Sequence, residues 1–256
     1  MDNSEMHPEL IDIGFLHVKT YGALMATGFV VCWWLVERLS GRKDLSNLLL
    51  SLMLGGVVGS RIAYVIEHWQ AEFASNPAAI VRVDQGGLMF YGGFILSFVI
   101  FFAWCAIRRE HPLKLADLLA AVVPLGHAFG RVGCFFYGCC YGRDSDAWCA
   151  VTFPAGSPSW YEHGRRMVSV LPTQLFEAAA LLALFALLMW LWRRPSRRPG
   201  MILGAYLIGY AVIRFGIEFL RGDPRAAVGP FSISQTISLV MVVIGAVFLE
   251  RSRHHR

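Results

Sequence analysis

Seven long apolar segments constrain this chain more than any other feature of its sequence. Each is close to the length of about 20 residues that an α-helix needs to cross the hydrocarbon core of a bilayer. Apolar residue types make up 56% of the chain and charged types 16%, whereas a soluble domain contains about 25% charged residues. We therefore predict an all-α, polytopic integral membrane protein with seven transmembrane helices, at residues 18–36, 47–66, 87–107, 115–135, 172–192, 201–220 and 231–249.

The same composition excludes other classes of protein. A disordered chain has few apolar and aromatic residues, and a small disulfide scaffold has a higher cysteine content than the six cysteines found here. The net charge of +5 comes from short basic clusters between the apolar segments, an arrangement that suits anionic lipid headgroups. We expect membrane lipids as partners and no binding of nucleic acid.

The basic residues predict the orientation of the chain, because cytoplasmic loops carry more Lys and Arg than outer loops. Thirteen of the 23 basic residues follow the first, third, fifth and seventh segments, and six follow the other three. This asymmetry places the N-terminus outside and the C-terminus inside. Residues 67–86 are expected to lie at the interface and residues 136–171 to form a small outer cap, both within a single domain of residues 1–256.

Three arginines fall inside the predicted helices, namely Arg61, Arg131 and Arg214. An arginine at a helix centre costs at least about 2.5 kcal/mol in a bilayer, so it usually faces the protein interior and marks a functional site. These residues are the first candidates for a binding site.

The helix that carries Arg214 has one polar face. Tyr210, Arg214, Glu218 and Arg221 recur at intervals of four, four and three residues, which places them on the same side. We expect an ion pair between Arg214 and Glu218. Two arginines and one glutamate leave a positive charge on this face, which would suit a phosphate.

Arg131 and Arg61 both lie among glycines. Gly130 and Gly133 flank Arg131, and such glycines allow either the close approach of a ligand to the backbone or tight helix packing. Packing would explain the glycines but not the arginine between them. For Arg61, contact with a ligand and anchoring at the interface remain open alternatives.

Tyr91 lies between two pairs of glycines in the segment Gly86–Gly93. Such a segment could bend at the entry of the third helix and present Tyr91 to a cavity. A tyrosine of the interfacial aromatic belt is an equally good interpretation of the same residues.

Taken together, these segments resemble the prolipoprotein diacylglyceryl transferase family, with matches in the same order over nearly the whole chain. The resemblance implies transfer of diacylglycerol from phosphatidylglycerol to the thiol of the lipobox cysteine in a prolipoprotein signal peptide, in the bacterial inner membrane, without a cofactor. The N-terminus would be periplasmic and the C-terminus cytoplasmic. The matching residues are Tyr21-Gly22, Gly59-Ser-Arg61, Gly86–Gly93, Gly130-Arg-Val-Gly133 with Gly138 and Gly142, Pro172–Glu177, and Gly209 through Arg221.

The resemblance also implies roles for the candidate residues. Arg131 and Arg214 correspond to the family's essential arginines. From the chemistry of the residues themselves, we expect both to bind the phosphate, with Tyr91 or Tyr21 as candidates to position the headgroup or relay the thiol proton. The expected substrate-binding residues are Tyr21, Arg61, Gly130, Gly133, Tyr210, Glu218 and Arg221.

The chain departs from the family pattern at four positions. Leu171 and Tyr91 replace two histidines, and Cys134 and Cys139 replace an asparagine and an acid. The general base is therefore unassigned, and a related transferase with another acceptor stays open. Two further alternatives are a transporter for anionic lipids or small anions and a non-catalytic lipid-binding scaffold.

The cysteines near the cap predict no metal site, because their spacing does not match paired C-x2–4-C motifs. An outer compartment favours a disulfide instead. We expect one between Cys139 or Cys140 and Cys149.

Overall fold

The structure, a computed structural model, describes residues 9–12, 17–82, 86–225 and 227–254. Within these ranges seven helices are long and apolar enough to cross a membrane, which confirms the predicted all-α, polytopic class. An eighth helix, α5, spans only Pro158–Glu162. The long helices are α1 (Thr20–Ser40), α2 (Leu45–Glu67), α3 (Phe90–Arg108), α4 (Pro112–Tyr137), α6 (Thr173–Trp192), α7 (Met201–Glu218) and α8 (Ile233–His254).

The remaining elements are short. The predicted interfacial segment contains a π-helical turn at Trp69–Phe73 and a 3₁₀ turn at Pro77–Val81, while residues 83–85 of it lie outside the described part. Among the described residues, six strands pair as three antiparallel two-stranded sheets. They are β1 (Glu9–Asp12) with β2 (His17–Lys19), β3 (Val151–Thr152) with β4 (Ser169–Val170), and β5 (Ala227–Val228) with β6 (Phe231–Ser232).

The described chain packs as two compact units. One contains residues 1–36 and 116–256, and the other contains residues 37–115. In the first unit α7 packs along α8 and against α6, and in the second unit α2 packs along α3.

The outer face of α3 explains why the protein needs a lipid environment. Four phenylalanines, spaced four residues apart, are between 45% and 75% exposed. A soluble protein rarely exposes an apolar patch of this kind, whereas lipid tails solvate it. The four residues are Phe90, Phe94, Phe98 and Phe102.

Polar contacts tie the first unit together at both ends of α7. The Asp117 carboxylate of α4 accepts hydrogen bonds from the backbone N–H groups of Gly200 and Leu203, at 2.8 Å each, and so satisfies the free N–H groups where α7 begins. At the other end, Gly142 of the cap forms a β-bridge with Arg221. The cap is therefore held directly beside the end of α7.

Glycines allow α2 and α3 to cross closely. A Cβ atom added at Gly59 would lie 2.4 Å from the carbonyl oxygen of Gly92, and one at Gly92 would lie 2.2 Å from the carbonyl oxygen of Gly59. Small residues at a helix crossing permit this approach in membranes. Gly92 therefore has a packing role within the second unit.

Replacement of Gly59 by alanine should destabilise the protein. The added methyl group must displace backbone rather than a flexible side chain, which typically costs about 1–3 kcal/mol. Gly56→Ala is the matched control, since its Cβ would lie at an ordinary 3.6 Å from Ser97 Oγ on the same helix. We expect thermal unfolding in detergent to show a lower midpoint for Gly59→Ala only; equal midpoints for the two variants would contradict the close crossing.

Candidate active site

Arg131 lies on α4 at a place where glycines bring α1 close. A Cβ added at Gly133 would lie 2.9 Å from the ring of Tyr21, and one at Gly130 would lie 3.2 Å from the sulfur of Met25. The sequence left two roles open for these glycines, contact with a ligand or tight helix packing. In the structure they make room for α1, which favours the packing role. The same contact places Tyr21 beside α4, where the ring centres of Tyr21 and Tyr137 lie 6.4 Å apart.

Glu177 on α6 is the partner of Arg131. Arg131 Nη2 and Glu177 Oε1 are 3.0 Å apart, and the two side chains are only 14% and 1% exposed. The Tyr210 phenol on α7 interacts electrostatically with the Arg131 guanidinium, and the ring centres of Tyr210 and His127 on α4 lie 5.3 Å apart. Arg131 therefore connects α4 with both α6 and α7.

Arg214 is held by α7 and α8. Its Nη2 atom lies 2.7 Å from Glu218 Oε2, which confirms the predicted ion pair, and it donates a hydrogen bond of 2.8 Å to Ser234 Oγ. Glu177 also attracts Arg214 electrostatically. Arg131, Glu177, Arg214, Glu218 and Tyr210 thus form one group, which we call the arginine cluster.

Each arginine of this cluster keeps a buried donor without a hydrogen-bond partner among the described residues: Arg131 Nε and Arg214 Nη1. The carboxylate oxygens of Glu177 and Glu218 contact the arginines without hydrogen-bond geometry. An unsatisfied buried polar group costs about 1–3 kcal/mol, and such groups in a folded protein need an explanation, often a functional one. Two free guanidinium donors in one cluster are suited to an anionic ligand.

Arg221 does not supply the positive charge that the helix face predicted. Its guanidinium forms two hydrogen bonds of 2.7 Å with Asp223, and its side chain is 2% exposed. Asp223 pairs with Arg221 and is shared with Arg225. The charge count along α7 alone missed Glu177 on α6 and Asp223 in the loop after α7.

The Asp223 carboxylate lies outside the transmembrane helices, between Arg221 and Arg225. Burial would raise its pKa, but hydrogen bonds and charge from the two arginines outweigh burial and lower the pKa below the ordinary value. A depressed pKa means that this pair stabilises the fold above the ordinary pKa and loses that contribution as the pH falls through the lowered value.

Three cysteines meet where α4 ends. The sulfur atoms of Cys134, Cys139 and Cys140 all lie within 4.8 Å of one another, and we call this group the thiol cluster. All six cysteines are free in the structure, so the expected disulfide to Cys149 is not formed. The thiols of Cys134 and Cys139, together with Arg221, lower the pKa of Cys140 against the effect of burial.

The thiol cluster adjoins the arginine cluster. Cys134 and Cys140 interact electrostatically with Arg131, and the Tyr21 phenol is close enough to interact with all three thiols and with Arg131. Among the predicted site residues, this unit therefore brings together Tyr21, Gly130, Arg131, Gly133, Tyr210, Arg214, Glu218 and Arg221.

Arg61 and Tyr91 belong to the other unit. Arg61 donates five hydrogen bonds to backbone carbonyls between residues 79 and 87, and its guanidinium lies 5.3 Å from the ring centre of Phe73. These contacts favour the anchoring role for Arg61. Its side chain is anchored to the loop of residues 79–87 rather than to the bilayer interface. Tyr91 is 58% exposed and follows the first residue of α3.

Sequence reasoning missed several residues of the site. Glu177 was noted only as part of a matching segment, although an acid within an apolar helix is itself a signal. Thr173 and Gln174, one turn earlier, donate hydrogen bonds to the carbonyl oxygens of Cys140 and Cys139. No local pattern signals these two, or Ser234, because their partners come from distant parts of the chain.

The fold defines a polytopic membrane protein whose apolar helices carry a buried cluster of arginines and carboxylates. A profile of the prolipoprotein diacylglyceryl transferase family matches residues 8–251. The chain therefore belongs to this family.

Curated relatives from Pseudoalteromonas translucida, Rhodospirillum rubrum and Cupriavidus metallidurans are named phosphatidylglycerol–prolipoprotein diacylglyceryl transferase. They are 36%, 35% and 30% identical to this chain, respectively, over 93%, 94% and 96% of its length. The aligned regions cover 90%, 90% and 93% of the relatives. The similarity thus extends over nearly the whole of each protein.

Removal of the Glu177 carboxylate should destabilise the first unit. In Glu177→Ala the guanidinium of Arg131 stays buried without its partner, and breaking a buried ion pair in this way typically costs about 3–5 kcal/mol. Thermal unfolding in detergent is the measurement, with Glu162→Ala in the exposed part of the cap as the control. The double variant Glu177→Ala/Arg131→Met should regain much of the loss; a double variant less stable than Glu177→Ala would argue against the pair.

Proposed function

We propose that this chain transfers the diacylglyceryl group of phosphatidylglycerol to the thiol of the lipobox cysteine in a prolipoprotein, with release of glycerol phosphate. The observation that carries the proposal is the arginine cluster, in which two buried guanidinium groups each keep a free donor. Membership of the transferase family and the names of the relatives support the choice of substrates.

The reaction is a nucleophilic substitution at the glyceryl carbon that carries the phosphate ester. The acceptor thiol loses its proton to water and attacks as a thiolate, since the thiolate is the reactive form. A C–S bond forms, the C–O bond breaks, and its electron pair stays on the departing phosphate. The step therefore needs a thiolate on one side of the carbon and stabilisation of a growing anion on the other.

Arg131 and Arg214 provide the second requirement. Their free donors would bind the phosphate oxygens, and donors fixed in a water-poor site stabilise a developing charge without reorganisation. Guanidinium is better suited than ammonium, because its planar donors match the geometry of a phosphate. Glu177 and Glu218 hold the two guanidinium planes in place through their ion pairs.

The other predicted residues have supporting roles in this proposal. Tyr210 and Tyr21, which lie near Arg131, would position the headgroup, while Arg221 acts at the junction with the thiol cluster. Tyr91 is kept as a candidate proton relay or headgroup contact. Arg61 acts through the loop between residues 79 and 87, whose backbone it binds.

Lysine at position 131 or 214 should sharply reduce turnover while keeping the charge. Loss of a fixed donor to a developing anion lowers the rate by about 100-fold or more. The assay uses purified protein, phosphatidylglycerol vesicles and a lipobox peptide, and detects thioether product and glycerol phosphate. Arg166→Lys, an exposed cap residue, is the control.

Full turnover of Arg131→Lys and Arg214→Lys would refute the phosphate-binding role. Phospholipid or anion flux across the vesicles without product formation would instead support a transporter. Product formation only with an acceptor other than the lipobox peptide would support a related transferase.

We propose further that the N-terminus is periplasmic and the C-terminus cytoplasmic, because the basic residues of the loops favour this orientation. A fluorescent protein fused after residue 256 should fluoresce in a bacterial host, whereas alkaline phosphatase fused at the same point should be inactive. Fusions within the cap, after Gly156, are the control and should give the opposite pattern. An active phosphatase at the C-terminus would reverse the assignment.

A further inference from the structure

The thiol cluster has the composition of a metal site. Three sulfur atoms from one turn of chain lie within 4.8 Å of one another, each on a partly buried residue. Zn²⁺ binds thiolates at about 2.3 Å in a tetrahedral arrangement, which places neighbouring sulfurs about 3.8 Å apart. Side-chain movements of about 1 Å or less would bring the three sulfur atoms to this separation around one ion.

The backbone of this turn is held in place by other elements. Gly138 adopts a left-handed conformation with φ +76°, which ends α4 and turns the chain back toward Cys134. Gln174 and Thr173, the first residues of α6, then bind the carbonyl oxygens of Cys139 and Cys140 at 2.7 and 2.9 Å. The positions of both thiols therefore depend on α6 rather than on a free loop.

Cys140 itself adopts a left-handed conformation, with φ +63°. Such a conformation costs a residue other than glycine roughly 1–3 kcal/mol and is concentrated at functional sites. Glycine or asparagine would remove the strain. A cysteine at this position is therefore best explained by its sulfur atom, which the strained backbone directs to the other two.

The surroundings suit a zinc ion with three thiolate ligands. Such a complex carries one net negative charge, and the Arg221 guanidinium, which Asp223 also binds, interacts with the sulfur of Cys140. Among the described residues, the cluster contains no fourth Cys, His, Asp or Glu ligand. Three protein ligands with a further position for a substrate are the pattern of a catalytic zinc site, whereas structural sites have four.

We propose that Cys134, Cys139 and Cys140 bind one Zn²⁺ ion, and that the acceptor thiol binds this ion as the fourth ligand in the form of a thiolate. The second part rests on the proposed transferase function. A thiol that coordinates zinc is deprotonated, so the ion would supply the thiolate that the reaction needs. Cys134 follows Arg131 by three residues on α4, which places the two on neighbouring positions of the helix surface.

The chemical balance needs no oxidant or reductant. The acceptor thiol releases its proton to water when the sulfur–zinc bond forms. The same sulfur then forms the C–S bond, while the C–O bond breaks and its electron pair goes to the phosphate. The resulting thioether is neutral and binds zinc weakly, so the product leaves and the ion remains with its three thiolates.

The first experiment measures metal binding without turnover. Full-length protein purified in detergent should contain about one zinc ion per chain by elemental mass spectrometry, and cobalt substitution should give the intense visible bands of a tetrahedral thiolate site. Cys134→Ser, Cys139→Ser and Cys140→Ser should each weaken zinc binding at least tenfold. Cys149→Ser, a cysteine outside the cluster, is the matched control and should bind zinc normally.

The second experiment tests the fourth ligand. A lipobox peptide with its cysteine should change the cobalt spectrum in the absence of phosphatidylglycerol, and the same peptide with serine should leave it unchanged. No difference between the two peptides would overturn the role of the acceptor thiol. Protein without zinc, with copper in its place, or with a disulfide between two of the three cysteines would overturn the zinc site.

These outcomes are separable from the fate of the proposed function. Zinc binding and a thiol-dependent spectrum without any transfer product would refute the transferase reaction and leave the metal site intact. Transfer by a protein that binds no metal, with Cys134→Ser as active as the unaltered chain, would refute the zinc site and leave the transferase intact.

Discussion

The structure depends on how two guanidinium groups are kept inside an apolar helix bundle. The side chains of Arg131 and Arg214 are 14% and 8% exposed, so each requires a carboxylate partner from the protein. Glu177 and Glu218 provide these carboxylates within 3.0 and 2.7 Å. Because Glu177 lies on α6 and Arg131 on α4, their ion pair also fixes the distance between these helices. The same contact therefore determines both the packing of the first unit and the geometry of its site.

The positions of the long helices follow from the sequence alone, because hydropathy and length are local properties. The predicted segment 115–135 corresponds to α4 at Pro112–Tyr137, and the segment 201–220 to α7 at Met201–Glu218. The predicted helix starts lie within three residues of the observed ones, and α3, predicted from residue 87, begins at Phe90. There the positive φ angles of Gly86 and Gly87 keep the chain out of a helix despite its apolar character.

Only part of the candidate site could be predicted from the sequence. The reason is physical: pairs within one helix follow from its geometry, whereas pairs between different elements do not. Arg214 and Glu218 lie four residues apart on one helix, so their pairing can be derived from helix geometry. Glu177 and Asp223 reach their arginines from other elements, and counting charges along α7 could not include them. The thiol cluster depends on left-handed angles at Gly138 and Cys140, and a motif spacing derived from extended loops cannot anticipate such a turn.

The first turn of α6 connects the two groups of functional side chains. Thr173 and Gln174 hold the turn that carries Cys139 and Cys140, and Glu177, one helical turn further on, holds Arg131. A helix is stiff over so short a distance, so the turn that carries Cys139 and Cys140 and the guanidinium of Arg131 are coupled through α6. Substitution at a carbon with a thiolate on one side and a departing phosphate on the other requires such a fixed separation. In the proposed reaction, α6 would therefore hold the two clusters in one site.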